Sequence, residues 1–381
     1  MNIINGRIHG KEIYDVYYST GGGSMIGGGA DIWVNNWIEE IAPHLKVKPV
    51  LLIHRNRPKA KWTEEQHQQF ENNVKAGRGG NPGRQAHQKI KKTYKEILKD
   101  DLEHYWQGDD LQKFGDLLNN ARRIHILHGY YAPHKYITDN KDRIYSTGIH
   151  VNVNDALNAN TKLKLQHSRH FFMDPSWEED IVKYTKNPFW IGIEKPNLKS
   201  KHDHLLHIPN YYEFKHNLDV TDNNTVGFAS RMETRKCPHY MQRIPSKLCT
   251  DPKDVQWWVK NLKIDIRGWK VYKFNYDFLD KFYKQDWGIS HSAHIYEPFG
   301  YSIFQALDFG KIPILSKDWL MEFDYPFRAF GMHEFYEQWK RICDLSIDGR
   351  REWVSLLRAY LREKYGDKER WKEEMLKIYN S

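Results

Sequence analysis

Apolar positions along this chain fall into two alternating rhythms. Val16-Tyr17-Tyr18-Ser19 is a compact β-branched and aromatic run that predicts a strand. A glycine-rich stretch from Gly21 to Gly29 follows, and then Ile32, Trp33, Trp37, Ile38 and Ile41 recur at the spacing of one helix face. Val47 to Ile53 reads as the next strand, so the chain opens as strand, glycine loop, helix, strand. Further strands are expected at Ile124 to Tyr131, at Ile149 to Asn154 and at Trp190 to Ile193. A new series begins with the strand Thr225 to Arg231 and continues in βα units through Leu315. From Arg351 to Tyr379 the pattern is charged and helical, with Trp353, Leu356, Leu357, Tyr360 and Leu361 on one face. Strands alternating with helices predict an α/β protein, and 381 residues suffice for two cores.

Residues 56–120 break this rhythm. Lys75, Arg78, Arg84, Lys89, Lys91, Lys92 and Lys95 occur with no acidic residue between them. Gly77, Gly79, Gly80, Pro82 and Gly83 make the first half loop-like, whereas Gln85 to Leu98 reads as a basic helix. Glycines let a backbone approach a phosphate chain and the cations neutralise it, so Arg78, Arg84, Lys89, Lys91 and Lys92 are candidate nucleic-acid contacts. A solvated surface insertion would have the same composition. The net charge of +9 favours an anionic partner: nucleic acid, a membrane surface or a nucleotide. Cys237, Cys249 and Cys343 have neither metal-ligand nor disulfide-framework spacing. No apolar run reaches the roughly 18 residues of a spanning helix, and the first residues lack a signal-peptide core. These features make the cytoplasm the expected compartment.

Two stretches carry candidate chemistry. In Glu297-Pro-Phe-Gly-Tyr-Ser-Ile-Phe-Gln305-Ala-Leu-Asp-Phe-Gly-Lys-Ile-Pro-Ile-Leu315 a carboxylate precedes a tight glycine turn, a short helix and a buried strand. Such a turn can hold a sugar by its hydroxyls and a phosphate by the amides that open the helix. In Phe228-Ala-Ser-Arg231-Met-Glu-Thr-Arg-Lys236 a strand runs out into two cations suited to a diphosphate.

Both stretches resemble the donor-site motifs of retaining GT-B glycosyltransferases of the glycogen-synthase-like group. That family carries Glu-Pro-Phe-Gly, a second Glu, then Ala, Gly and Pro; here Gln305 stands at the second Glu. It also carries Gly-Arg and, a few residues on, Lys-Gly; here Ser230 replaces the first Gly and Cys237 the second. The resemblance implies two Rossmann-like domains facing a central cleft, with a C-terminal helix crossing back to the first. Residues 1–205 would form an acceptor-side domain with the basic insertion at 56–120. Residues 206–350 would bind the nucleotide sugar, after a linker at Ile208-Pro-Asn-Tyr211, and 351–381 would be the crossing helix.

It further implies that Arg231 and Lys236 neutralise the donor diphosphate and that Glu297 orients the sugar. Phe299, Gly300, Tyr301 and Ser302 would supply backbone amides, and Gln305 would accept from the ribose. Gly28 and Gly29 would approach the donor phosphates, and His128 would line the reacting region. The donor would be a nucleotide sugar, UDP-linked by preference, with no obligatory metal because the two cations supply its electrostatic role.

The basic insertion and compact size bring the chain nearest to the T-even phage DNA α-glucosyltransferases. The expected acceptor is then a hydroxymethylated pyrimidine in duplex DNA, modified in the host-cell cytoplasm. A glycan or lipid acceptor at the cytoplasmic membrane face is the alternative. A binding protein with a decayed site is the third reading.

Overall fold

The computed structural model describes residues 7–8, 11–19, 29–53, 102–127, 139–140, 143–149, 169–172, 205–207, 210–274, 276–294 and 299–381. The chain divides into two compact units, one of Met1–Pro209 with Arg370–Ser381 and one of Asn210–Glu369.

In the first unit a small hairpin, β1 (Arg7–Ile8) and β2 (Lys11–Glu12), precedes the main sheet. Its strands are β3 (Tyr14–Ser19), β4 (Lys48–Ile53), β5 (Glu103–Trp106), β6 (Ile124–Ile126), β7 (Ile144–Ile149), β8 (Arg169–Phe172) and β9 (Leu205–His207). They are parallel and lie in the order β5-β4-β3-β6-β7-β8-β9. From Asp15 to Ser19 every residue of β3 is buried, as expected for a strand covered on both faces. Alternation decides what covers each face. Val16 and Tyr18 pack with Phe114 and Leu118 of α2 (Leu111–Asn120), whose first turn is capped by the Asp110 carboxylate accepting from Lys113 N–H at 2.9 Å. Tyr17 points the other way and meets Trp37 of α1 (Gly29–Glu40), ring centroids 4.7 Å apart. Trp33, Val34, Trp37, Ile38 and Ile41 are buried, which is the face that their spacing marks.

The second unit repeats the plan with β10 (Val226–Phe228), β11 (Ser246–Thr250), β12 (Trp269–Lys273), β13 (Ile289–Ser292), β14 (Ile312–Ser316) and β15 (Arg328–Ala329). All pairs are parallel, in the order β12-β11-β10-β13-β14-β15. The helices are α3 (Pro252–Leu262), α4 (Tyr276–Tyr283), α5 (Tyr301–Asp308), α6 (Met332–Cys343) and α7 (Ile347–Tyr365). At the end of α5 the buried Asp308 accepts from the Lys215 and His216 amides, each at 3.0 Å, from His216 Nδ1 at 2.9 Å and from Arg358 of α7 at 3.2 Å.

The charged C-terminal pattern is two helices. α7 ends at Gly366, and α8 (Lys368–Tyr379) belongs almost wholly to the first unit. There Tyr379 sits edge-on to Tyr17 at 5.3 Å and to His125 at 5.1 Å, while Trp371 meets Trp33 at 6.4 Å. Two other expectations shift. Of the strand expected at Ile149 to Asn154, residues 150–154 lie outside the described residues, and the strand begins already at Ile144, where Ser146 and Thr147 register beside His125 and Ile126. β10 stops at Phe228, three residues before Arg231, so that Ala229 to Arg231 leave the sheet. The strand expected at Trp190 to Ile193 lies outside the described residues, as do 54–101, which include Arg78, Arg84, Lys89, Lys91 and Lys92.

Asp308→Asn keeps the shape of the carboxylate but leaves the Arg358 guanidinium buried without its counter-charge. The expected cost is about 3 kcal/mol, read as a lower denaturation midpoint of the second unit at unchanged m-value. A loss under about 0.5 kcal/mol would show the pair to be dispensable.

His125 is buried, with Nδ1 2.8 Å from Ser146 Oγ and Nε2 4.0 Å from Asp15, itself gripped by Arg122 at 2.8 and 2.5 Å. Burial, then Arg123 and Arg122, hold its pKa well below the ordinary imidazole value of 6.5. The unfolded chain therefore binds a proton there below that value while the folded chain does not. Stability should fall as pH drops below about 6.5, by up to about 1.4 kcal/mol per pH unit from this group. Urea titrations between pH 7.5 and 5.5 should show His125→Gln with a shallower slope than the parent protein. Parallel slopes would contradict the assignment.

Candidate functional site

Sheet topology by itself nominates the site. In an open parallel sheet a crevice opens at the carboxyl ends of the two neighbouring strands whose chains continue in opposite directions. In the second unit these strands are β10 and β13: the chain runs from β10 outward to β11 and β12, then returns to the other side as β13. Residues 229–237 leave the end of β10, and 293–300 leave the end of β13. These are the segments that hold Arg231, Lys236 and the turn into α5. In the first unit the corresponding pair is β3 and β6. The glycine run containing Gly28 leaves β3, and His128 follows β6, but Gly28 and His128 lie outside the described residues. Gly29 is the first residue of α1.

After β10, residues Thr234–Lys236 form one 3-10 turn, and Cys237 ends it with φ 49°, in the left-handed region. This is the position at which the resembling motif carries glycine, which adopts that backbone at no steric cost. Here a buried cysteine accepts the strain, with its thiol donating to Thr234 O at 3.4 Å. Arg231 is 70% exposed and pairs with Glu233 at 2.8 Å; Glu233 also lies 3.5 Å from Arg235 Nε. Lys236 turns the other way, with Nζ 3.5 Å from Nδ1 of the buried His294 beyond the end of β13. The two expected cations thus share the segment that leaves β10, but each has its own neighbour.

The second wall is the start of α5. Gly300 is its N-cap, with φ 69°, and no side chain caps the first turn. Its carbonyl accepts from Ile303 N–H at 2.7 Å. The N–H groups of Tyr301 and Ser302 belong to the first turn, which has no intrahelical acceptors of its own. Phe299 is a core residue stacked on Phe304 at 4.4 Å, so a role for it in binding would rest with its backbone. Tyr301 is buried and its hydroxyl has no hydrogen-bond partner among the described residues. Gln305, half-buried, has Oε1 3.5 Å from the Tyr283 hydroxyl. Glu297 lies outside the described residues.

Sequence reasoning passed over Glu233, His291 and His294. His291 is buried in β13 with Nε2 2.9 Å from Cys237 O. Burial holds its pKa well below the ordinary imidazole value, and His294 pushes in the same direction. The signal for both histidines was available: imidazoles at the carboxyl end of a strand, just before the Glu297 turn.

No protein-family model and no curated protein matches the sequence. Solved structures do match. The sucrose-phosphate synthase of Thermosynechococcus elongatus superposes with a TM-score of 0.61 at 12% identity, over 96% of this chain and 98% of that one. An E. coli trehalose-6-phosphate protein bound to UDP-2-fluoro glucose gives 0.54 at 10% identity, over 97% and 99%. A mutant of S. aureus TarM in complex with fondaparinux, alpha-GlcNAc-glycerol and UDP gives 0.52 at 13% identity, over 68% of this chain and 55% of that one. The present chain therefore spans about half the length of TarM.

The left-handed backbone at Cys237 makes a test that inverts the usual ranking. Cys237→Gly should be more stable than Cys237→Ala by about 1 kcal/mol, because alanine loses the thiol and keeps the strain. Denaturation of the two variants checks it, and the opposite order would place this residue outside the left-handed region. At these identities the likeness is one of architecture, and it agrees with the two parallel sheets: the chain has the GT-B fold, built from two Rossmann-like units.

Proposed function

We propose that this protein is a retaining glycosyltransferase that moves a sugar from a nucleotide-sugar donor, UDP-linked by preference, to an acceptor hydroxyl. What supports the reading is that Arg231, Lys236 and the uncapped start of α5 all lie on the segments that follow β10 and β13, the two strands at which the second sheet's chain direction reverses. Glycosyl transfer breaks the bond between the sugar's anomeric carbon and a diphosphate oxygen, so negative charge develops on the leaving group. Preorganised cations and backbone amides stabilise that charge in a partly dry crevice. The acceptor oxygen bonds to the anomeric carbon from the same face, and its proton passes to the departing phosphate. No separate protein base is then required. Glu297 would orient the sugar hydroxyls, and Gln305 would accept from the ribose more weakly than a carboxylate does. His128, Gly28 and Gly29 are the candidate donor contacts that the first unit carries. Neighbours solved with UDP and with UDP-2-fluoro glucose support this donor class.

For the acceptor we infer a hydroxymethylated pyrimidine in duplex DNA, flipped from the stack. The net charge of +9 and the unbroken basic character of Lys75 to Lys95 support it. Arg78, Arg84, Lys89, Lys91 and Lys92 would contact phosphates, which position the duplex without reading its sequence. Modification would take place in the cytoplasm of a host cell.

The test is nucleoside diphosphate release from a panel of nucleotide sugars, with hydroxymethylated duplex DNA, unmodified DNA, glycans or anionic vesicles as acceptors. Release stimulated by hydroxymethylated DNA alone is expected. Stimulation by glycans or vesicles would move the acceptor to that class, and no release from any donor would remove the enzymatic reading. Arg231→Ala and Lys236→Ala should each lower turnover at saturating donor by roughly 10²–10³-fold. Near-parental turnover in both would take this turn out of the donor site.

A further inference from the structure

We propose that His291 and His294 are positioning residues that together set Lys236 in place, one holding the backbone of the next residue, Cys237, and the other the Lys236 ammonium. The inference rests on the donor-site reading above and adds to it two groups with no counterpart in the motifs that suggested it. His291 lies within β13 and is 3% exposed; His294, just beyond the strand, is 1% exposed. Both side chains therefore sit inside the second unit at the carboxyl end of β13, where the crevice opens.

The chemistry of the partners assigns each ring. His291 Nε2 is 2.9 Å from the Cys237 carbonyl oxygen, and the Ala293 amide is 3.3 Å from Nδ1. A carbonyl only accepts and an amide N–H only donates, so His291 carries its proton on Nε2 and is neutral. Its ring is enclosed by Phe335 at 4.7 Å, Phe228 at 5.4 Å and Tyr240 at 6.1 Å. The bond to Cys237 O ties the end of the 3-10 turn to β13, one residue past Lys236. His294 acts on the side chain of Lys236 itself. A lysine ammonium only donates, so at 3.5 Å it is His294 Nδ1 that accepts. Phe228 packs edge-on against His294 at 6.2 Å.

A lysine side chain loses up to about 2 kcal/mol of rotamer freedom when it is fixed. Fixing it before the donor arrives removes that cost from binding. Arg231 has no such arrangement. Its partner Glu233 lies two residues away on the same segment.

Asparagine places an oxygen near the position of imidazole Nδ1, and glutamine places an N–H near that of Nε2. His294→Leu and His291→Leu should each weaken UDP binding about tenfold, while uridine, which has no phosphate, binds as it does to the parent. His294→Asn and His291→Gln should recover most of the loss. Calorimetric titration with UDP and uridine reads this, after each variant is shown to unfold cooperatively. His294→Leu carries the test alone if His291→Leu does not fold. UDP affinity within twofold of the parent in the leucine variants overturns the proposal. So does an asparagine or glutamine variant no better than leucine, because the histidines would then only fill space.

A ligand-free measurement separates this proposal from the function on which it rests. In 15N spectra of the imidazoles both rings should be Nε2–H tautomers, and Lys236→Met should move the His294 Nδ1 resonance far more than Nε2. An unmoved Nδ1 overturns the bracket whatever the protein binds. If the resonance moves but the parent binds no nucleoside diphosphate, the donor-site reading fails instead, and with it the purpose assigned to the bracket.

Discussion

The second unit turns on one buried carboxylate. Asp308 stands at the C-terminal end of α5, where the helix dipole already concentrates partial negative charge, so an anion is placed there against the local field. It is tolerated because two backbone amides, the His216 ring and the Arg358 guanidinium converge on it. Arg358 also donates to the His216 carbonyl at 2.5 Å. The segment entering the unit, α5 and α7 are thereby drawn to one point. The consequence reaches the other end of the helix. α5 is eight residues long, about 12 Å at 1.5 Å per residue. Its uncapped first turn therefore lies only two turns from this anchor. Holding Asp308 in place holds the amides of Tyr301 and Ser302 at the crevice.

Topology explains why chemistry gathers at that crevice. A carboxyl-terminal strand end inside a sheet is normally flanked by connections that crowd it. Where neighbouring strands send their chains apart, the space between them stays open, and both strand ends can present side chains to it. β10 supplies cations, and β13 supplies the imidazoles and the glycine turn. The same rule applied to the first sheet points between β3 and β6, where the glycine run and His128 leave the strands. Among the described strands, each unit thus has one pair whose chains part in opposite directions.

Much of this was legible in the residues. Parallel strands buried on both faces read as unbroken apolar runs, which is why β4 and β14 stood out, and Trp33, Trp37 and Ile41 marked the buried face of α1. Other elements were obscured by their own content. Ser146 places a polar group inside β7, where His125 finds its hydrogen-bond partner within the sheet. The end of α7 rests on Gly366 alone within a long charged pattern, and a single glycine does not oblige a helix to stop. Cys237 is the clearest loss: nothing in a cysteine announces a left-handed backbone, and only its place in a glycine-bearing motif hinted at one. The roles of Glu233, His291 and His294 depend on which turn folds against which strand end, and spacing along the chain does not encode that.

The two cations of the site differ in a way that suits the order of events in the proposed reaction. An exposed ion pair such as Arg231–Glu233 contributes only about 0–1 kcal/mol, because water and salt screen it and two side chains must be held together. In the proposed reaction an arriving diphosphate, carrying more charge than one carboxylate, would exchange places with Glu233 at little cost. Glu233 thus keeps Arg231 near the crevice without competing strongly for it. Lys236 is half-buried with Nζ 3.5 Å from His294 Nδ1, and in the proposed arrangement a neutral acceptor orients the ammonium without cancelling its charge. One cation is therefore exchangeable and the other fixed. The exchangeable one suits capture and release of a highly charged ligand. The fixed one suits stabilising charge that appears only as the bond breaks, when no time remains for a side chain to reorganise.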